Sequence, residues 1–103
     1  MREIEVAGNR IEVTDEGFLI DTGAWTEDVA KVLAEEEGIE LTEKHFEVLN
    51  YLRTEFNSGA ALTIRKVGKS GIVDIKGLYE LFPGGPLKKS SKIAGIPKPS
   101  SCV

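Results

Sequence analysis

The chain has very few of the residues from which disulfides and metal sites are built. Its 103 residues include one cysteine, Cys102, and one histidine, His45. One cysteine cannot close an internal disulfide, and one cysteine with one histidine falls short of the four ligands of an ordinary structural zinc site. We therefore expect neither a structural metal nor a bound cofactor.

Long apolar runs are also missing. The opening MREIEVAGNR has neither the apolar stretch nor the small-residue cleavage site of a signal peptide, and no later segment is long and apolar enough to cross a bilayer. The hydrophobic content of 41% is sufficient for one modest core in a chain of this length. The sequence predicts a single cytoplasmic domain that is not associated with a membrane.

The net charge of -4 is unevenly distributed along the chain. All seventeen acidic residues lie within residues 1–85, together with nine of the thirteen basic ones, whereas residues 86–103 contain four lysines and no acid. Such a basic segment either solubilises a loose end or attracts an acidic partner or a phosphate backbone. The sequence leaves both interpretations open.

Alternating apolar residues near the start predict an N-terminal β-hairpin. Ile4 and Val6 share one face, a turn follows at residues 7–9, and Ile11 and Val13 continue the alternation. A single hairpin is marginally stable in water, so we expect it to pack on the segment that follows.

The remainder of the chain is predicted to form about five helices. Thr26 and Thr42 have the position of N-caps for the first two, which Gly38 and residues 57–59 end. Trp25 stands just before the first cap, where we expect it to pack onto the body rather than to stack on a ligand. A short helix is expected over residues 62–67, and another is expected to begin after Asp74 and to run to Pro83. Pro86 is suited to the first position of a last helix that Gly95 can stop. The predicted fold is mainly α, a compact helical bundle with an N-terminal hairpin.

Two further sequence features do not have the surroundings that a functional site requires. GKSG at residues 68–71 would belong to a phosphate-binding loop only if a glycine stood five residues before Gly68, where the chain has Thr63. His45 lies in the first turn of the second helix, where a surface or capping role is the more common one. Neither receives a functional role.

The last residues form a distinct arm. Pro97 and Pro99 favour an extended, semi-rigid spacer that can carry Cys102 away from the body. A lone cysteine is usually a small buried hydrophobe, but a residue beyond such a spacer is rarely packed in a core. We therefore divide the chain into a helical domain, residues 1–95, and a mobile C-terminal arm, residues 96–103, which presents the thiol.

The C-terminal quarter resembles the DsrC/TusE family of sulfur-relay proteins. The segment LYELFPGGPLKKSSKIAGIPKPSSCV is similar to the family's L-Y-x-L-F-P-x-G-P-A-K, K-I-A-G-L-P-K-P and penultimate cysteine. The likeness extends upstream through DEGFL, LTEKHFEVLNYLR and IRK, so it covers nearly the whole chain. The family's fold, a compact helical body with an N-terminal hairpin and a mobile arm, agrees with the elements predicted above.

Three positions depart from the family pattern. Ser91 stands where DsrC-type proteins have a second cysteine, so the pair needed for an intramolecular disulfide is missing, as it is in TusE-type members. The segment between Arg65 and Leu78 is shortened, which could alter the choice of partner. Phe46 stands where the family usually has tryptophan.

The resemblance implies a carrier rather than a stand-alone catalyst. Cys102 would accept sulfane sulfur as a persulfide from a donor protein complex and pass it to a tRNA-thiolating enzyme, as in 2-thiouridine synthesis. Arg65 and Lys98 are the candidates for contacting the thiolate or the arm. The alternative is a DsrC-like partner, or gamma subunit, of dissimilatory sulfite reductase or of sulfur oxidation. A third possibility is a binding or regulatory module without thiol chemistry, although the acidic body argues against direct contact with nucleic acid.

Overall fold

The computed structural model describes residues 2–99. Residues 100–103, which include Cys102, therefore lie outside the described part. The elements are the strands β1 (Arg2–Val6) and β2 (Asn9–Val13), a 3-10 turn (Thr22–Ala24), and the helices α1 (Glu27–Glu36), α2 (Glu43–Asn57), α3 (Ile64–Gly68), α4 (Ile75–Leu81) and α5 (Pro86–Ile93). The prediction of five helices after an N-terminal hairpin is confirmed.

The hairpin is antiparallel, and its two-residue turn matches the twist of the strands. Ile4 pairs with Ile11 and Val6 with Asn9. Ala7 and Gly8 both have positive φ, +50° and +83°, as a primed turn requires. Val13 continues into a bridge with Leu19, which brings the hairpin against the helices.

Side-chain caps explain where four of the helices begin. Thr26, Thr42, Thr63 and Asp74 each accept a hydrogen bond from the backbone N–H three residues later. The third helix was expected from residue 62, but it begins at Ile64 because Thr63 is its cap. The fifth helix has no side-chain cap and instead starts with Pro86 at its first position, as predicted.

His45 completes the cap of α2 and is not a surface residue. Its Nδ1 accepts from the Thr42 N–H at 3.1 Å, so the proton belongs on Nε2, which lies 2.9 Å from the Leu81 carbonyl oxygen. The ring also meets the Phe82 ring edge-on at 5.1 Å. The expectation of a capping role is confirmed, and the ring further joins α2 to the end of α4.

The helix α5 is the centre of the packing. It contacts α1, α2 and α4, and Leu87, Ile93 and Ala94 are completely buried. Ile96 is also buried, although it follows the helix, so the chain leaves the core only at Pro97. The division into a domain of residues 1–95 and an arm of residues 96–103 stays a prediction, since half of that arm lies outside the described residues.

Within residues 2–99, no helix is long and apolar enough to cross a bilayer. The same residues contain no group of three or more histidine, aspartate or glutamate side chains placed to hold a metal ion.

Candidate functional site

The candidate site is built where α5 ends and the arm begins. Gly95 adopts a left-handed conformation, with φ +72°. Its N–H donates to the Lys92 carbonyl oxygen at 3.1 Å, and the Ile96 N–H donates to the Ser91 carbonyl oxygen at 3.2 Å. These two bonds form a Schellman motif, which turns the chain sharply out of the helix.

Two side chains from other elements bind the last carbonyls of this helix. The Trp25 Nε1–H donates to the Ile93 oxygen at 2.8 Å, and the Arg53 Nη1–H donates to the Ala94 oxygen at 2.9 Å. The Arg53 guanidinium lies 4.7 Å from the centroid of the Trp25 ring, and its Nη2–H donates to the Thr22 oxygen at 3.0 Å. We call Trp25 and Arg53 the carbonyl clamp.

The clamp is partly withdrawn from water. Burial lowers the pKa of Arg53 below its usual value. A guanidinium remains cationic at neutral pH, however, and its planar fork can donate to two carbonyl groups at once. The arginine therefore carries a desolvated charge that is directed at backbone oxygens of α5 and of the segment before α1.

Three of the four lysines in residues 86–103 pair with acidic side chains of the body. Lys92 is buried, and its Nζ lies 3.0 Å from Glu37 and 3.4 Å from Glu36. Glu16 binds two more lysines, with Oε2 3.0 Å from Lys88 Nζ and Oε1 3.2 Å from Lys98 Nζ. The basic segment is thus largely compensated within the protein, which weakens the case that it attracts a phosphate backbone.

The bonds to Glu16 also affect its titration. Hydrogen bonds, first from Lys88 and then from Lys98, hold the pKa of Glu16 below its ordinary value of 4.5. The carboxylate is therefore ionised at neutral pH and ties the arm to the turn after β2.

A cleft of about 170 Å³ lies beside the first residues of the arm. Phe56 and Leu62 form part of one wall, and Pro97 and Pro99 of the arm form another. Ser91 also lines the cleft, and its hydroxyl is buried without a hydrogen-bond partner among the residues that the structure describes. A buried polar group without a partner is uncommon and carries a desolvation cost.

The predicted site residues have different surroundings. Cys102 lies outside the described residues. Lys98 is held by Glu16, whereas Arg65 is exposed on α3 and makes no side-chain hydrogen bond or ion pair within residues 2–99. Leu62, three residues before Arg65, lines the same cleft as Lys98. The structure therefore places the segment just before α3 beside the arm but does not join Arg65 to Lys98.

The sequence indicated one member of the clamp and missed the other. Trp25 was expected to pack on the body because it precedes the cap of α1, and this is confirmed. Arg53 gave no such signal, since its partners are the backbone oxygens of Ala94 and Thr22, 41 and 31 positions away. Every residue has a backbone carbonyl, so the residue types do not indicate which carbonyl accepts a hydrogen bond.

A family model described as "DsrC like protein" matches residues 5–103. Among curated proteins, "Sulfurtransferase TusE" of Pectobacterium atrosepticum is 44% identical over 108 aligned positions, which cover 97% of this chain and 99% of the relative. The protein of the same name from Escherichia coli K12 is 41% identical over 104 aligned positions, which cover 93% and 95%.

Solved structures show the same fold. The oxidized gamma-subunit of the dissimilatory sulfite reductase (DsrC) from Archaeoglobus fulgidus superposes with a TM-score of 0.85 at 38% identity, covering 99% of this chain and 100% of that one. The solution structure of Allochromatium vinosum DsrC gives a TM-score of 0.84 at 38% identity, covering 98% and 97%.

Proposed function

The chain belongs to the family of DsrC-like proteins, and we propose that it is a sulfur carrier in a cytoplasmic relay. In this proposal Cys102 accepts sulfane sulfur as a persulfide and passes it to an acceptor protein. The observation that carries the proposal is the end-to-end similarity to proteins named sulfurtransferase, 44% identical over 97% of this chain. The chain's sole thiol lies within the matched range.

Both steps of the transfer are displacements at sulfur. The Cys102 thiolate attacks the outer sulfur of a donor persulfide, so a new S–S bond forms while the donor's S–S bond breaks and its thiolate leaves. The acceptor thiolate then attacks the outer sulfur on Cys102, and the Cys102 thiolate is released. No external oxidant or reductant is consumed, because the oxidation state of the transferred sulfur is conserved.

The reacting form is the thiolate, which is scarce for an ordinary cysteine. A thiol with a pKa of ~8.5 is only about 3% ionised at pH 7. The Lys98 ammonium is paired with the Glu16 carboxylate. Arg65 makes no hydrogen bond or ion pair with the described arm residues. We therefore assign activation of the Cys102 thiol to a cation in the partner's pocket. On this chain, Arg65 is the residue that would supply such a cation.

The relatives named TusE favour a relay that supplies sulfur for 2-thiouridine in tRNA, with a donor protein complex before this carrier and a tRNA-thiolating enzyme after it. Partnership with a dissimilatory sulfite reductase is the second candidate, because the DsrC structures share the fold at 38% identity. Ser91 argues against that chemistry where it requires two thiols.

Complementation separates these candidates. In an Escherichia coli K12 strain lacking its own TusE, expression of this chain should restore 2-thiouridine in total tRNA, measured by mass spectrometry of nucleosides. Cys102→Ser should not restore it. Restoration by the serine variant would exclude thiol chemistry and favour a binding module. If the wild-type chain fails although it is folded and persulfidated, the tRNA pathway loses its support and the sulfite reductase setting becomes the leading one.

A further inference from the structure

The C-terminal carbonyls of α5 have a full set of partners, and half of these come from distant parts of the chain. A helix leaves its last four C=O groups without intrahelical bonds. Here the Schellman motif satisfies Ser91 and Lys92, while Trp25 and Arg53 satisfy Ile93 and Ala94. The end of the helix is therefore attached to α2 and to the segment before α1.

The clamp also restricts the residue at which the arm turns away. A Cβ added to Gly95 would lie 2.5 Å from Trp25 Cδ1 and 2.8 Å from Leu19 Cδ1. Trp25 thus packs directly on the turn, and the Ile96 side chain that follows is buried. Position and direction are consequently fixed at residues 95 and 96, before the two prolines extend the chain.

We propose that Trp25 and Arg53 are positioning residues for the sulfur carrier, which set the direction in which the arm leaves the body and so the region that Cys102 can reach. This inference rests on the proposed function. Cys102 lies six residues beyond Ile96, which limits it to about 20 Å from that anchor. Transfer between proteins needs the reacting sulfur atoms aligned at close range. An arm that starts in a fixed direction limits the volume in which the Cys102 sulfur must meet the partner's pocket.

Arg53 is suited to this role in a way that a packing residue is not. Its two terminal nitrogens donate to the Ala94 and Thr22 oxygens. One side chain therefore joins the end of α5, just before the arm, to the segment before α1. A lysine provides the charge but lacks the planar fork that spans two acceptors. A methionine retains an unbranched apolar stem but donates no hydrogen bond.

The chain allows a direct test, because its only thiol is in the arm. A nitroxide label on Cys102 broadens the amide NMR signals that it approaches, and thereby maps the surface that the arm visits. In the wild-type protein we expect one contiguous patch. In Arg53→Met the boundary of this patch should be lost and broadening should extend to other faces, and Arg53→Lys should not restore the boundary.

Val48→Ala is the matched control. Val48 is fully buried on the same helix as Arg53, so its truncation costs stability without removing a bond to α5. It should retain the wild-type patch. If Arg53→Met does not fold, Trp25→Phe tests the other half of the clamp by removing the donor to Ile93 while keeping an aromatic ring.

The inference would be overturned if the patch of broadened signals stays unchanged in a folded clamp variant. It would also be overturned if the broadening spreads as far in Val48→Ala as in Arg53→Met. The map reports where the arm goes and not what its thiol carries. The positioning role can therefore fail while Cys102 still accepts sulfur, and persulfidation can fail while the clamp still directs the arm.

Discussion

Replacing Gly95 by alanine should destabilise the protein far more than the same change at Gly38. Both glycines end a helix in a Schellman motif with nearly equal φ, +72° and +70°. Gly38 has no atom within 4 Å of an added Cβ, whereas at Gly95 the added atom would lie 2.5 Å from Trp25. The pair therefore separates the backbone cost of the substitution from its packing cost.

The backbone cost is common to both variants. A left-handed conformation costs an alanine about 1–2 kcal/mol, and reduced freedom of the unfolded chain offsets about 0.4–1 kcal/mol of it. At Gly95 the Trp25 ring must also move, which adds about 1–3 kcal/mol of overpacking. Loss of its hydrogen bond to Ile93 adds about 0.5–1.5 kcal/mol. We expect Gly95→Ala to be roughly 2–4 kcal/mol less stable than Gly38→Ala.

Urea unfolding measures this difference. With a slope of about 2 kcal/mol per molar urea, the middle of the range for small domains, the two midpoints should differ by roughly 1–2 M. Circular dichroism reports the helices, and fluorescence reports Trp25, the only tryptophan of the chain. Equal midpoints would refute the reasoning, because the packing of Trp25 on Gly95 would then carry no energy.

Three further predictions concern the arm and its thiol. Lys98→Met should raise the Glu16 pKa towards 4.5, measured by NMR titration of the carboxyl carbon; the lysine contacts' contribution to stability should be lost as pH falls through that depressed pKa, and an unchanged pKa would show that the ion pair does not form. Mild oxidation should give only intermolecular disulfides through Cys102 in the wild type, whereas Ser91→Cys should permit an internal one, detected as a monomer with altered mobility on non-reducing gels; failure of this pair to close would show that the arm does not return to α5. Arg65→Ala should leave the pH dependence of Cys102 alkylation unchanged, because a partner supplies the activating cation, and a lower thiol pKa in the wild type alone would contradict this.

Local signals predicted most of the fold. Thr26 and Thr42 cap their helices as the sequence indicated, the fourth helix begins after Asp74, and Pro86 begins the last one. Each of these signals acts within one turn of the chain, where residue type determines the hydrogen bond. The start of α3 was misplaced by two residues because Leu62 was counted as helical, although the cap at Thr63 excludes it.

Long-range contacts could not be predicted in the same way. The sequence showed that residues 86–103 are basic, but not that Lys92 is buried against Glu37 or that Glu16 binds Lys98. Such pairs depend on how α5 packs on α1 and on the position of the turn after β2. The role of Arg53 depends on backbone carbonyls, which every residue possesses, and so only the structure could reveal it.

Direct detection of sulfur on Cys102 is the measurement that tests the central claim. The purified protein is incubated with a persulfide donor, and its intact mass is determined before and after treatment with a reductant. The account predicts a gain of one sulfur atom that the reductant removes, and no gain in Cys102→Ser. A wild-type protein that stays unmodified, or a serine variant that gains the same mass, would contradict the account.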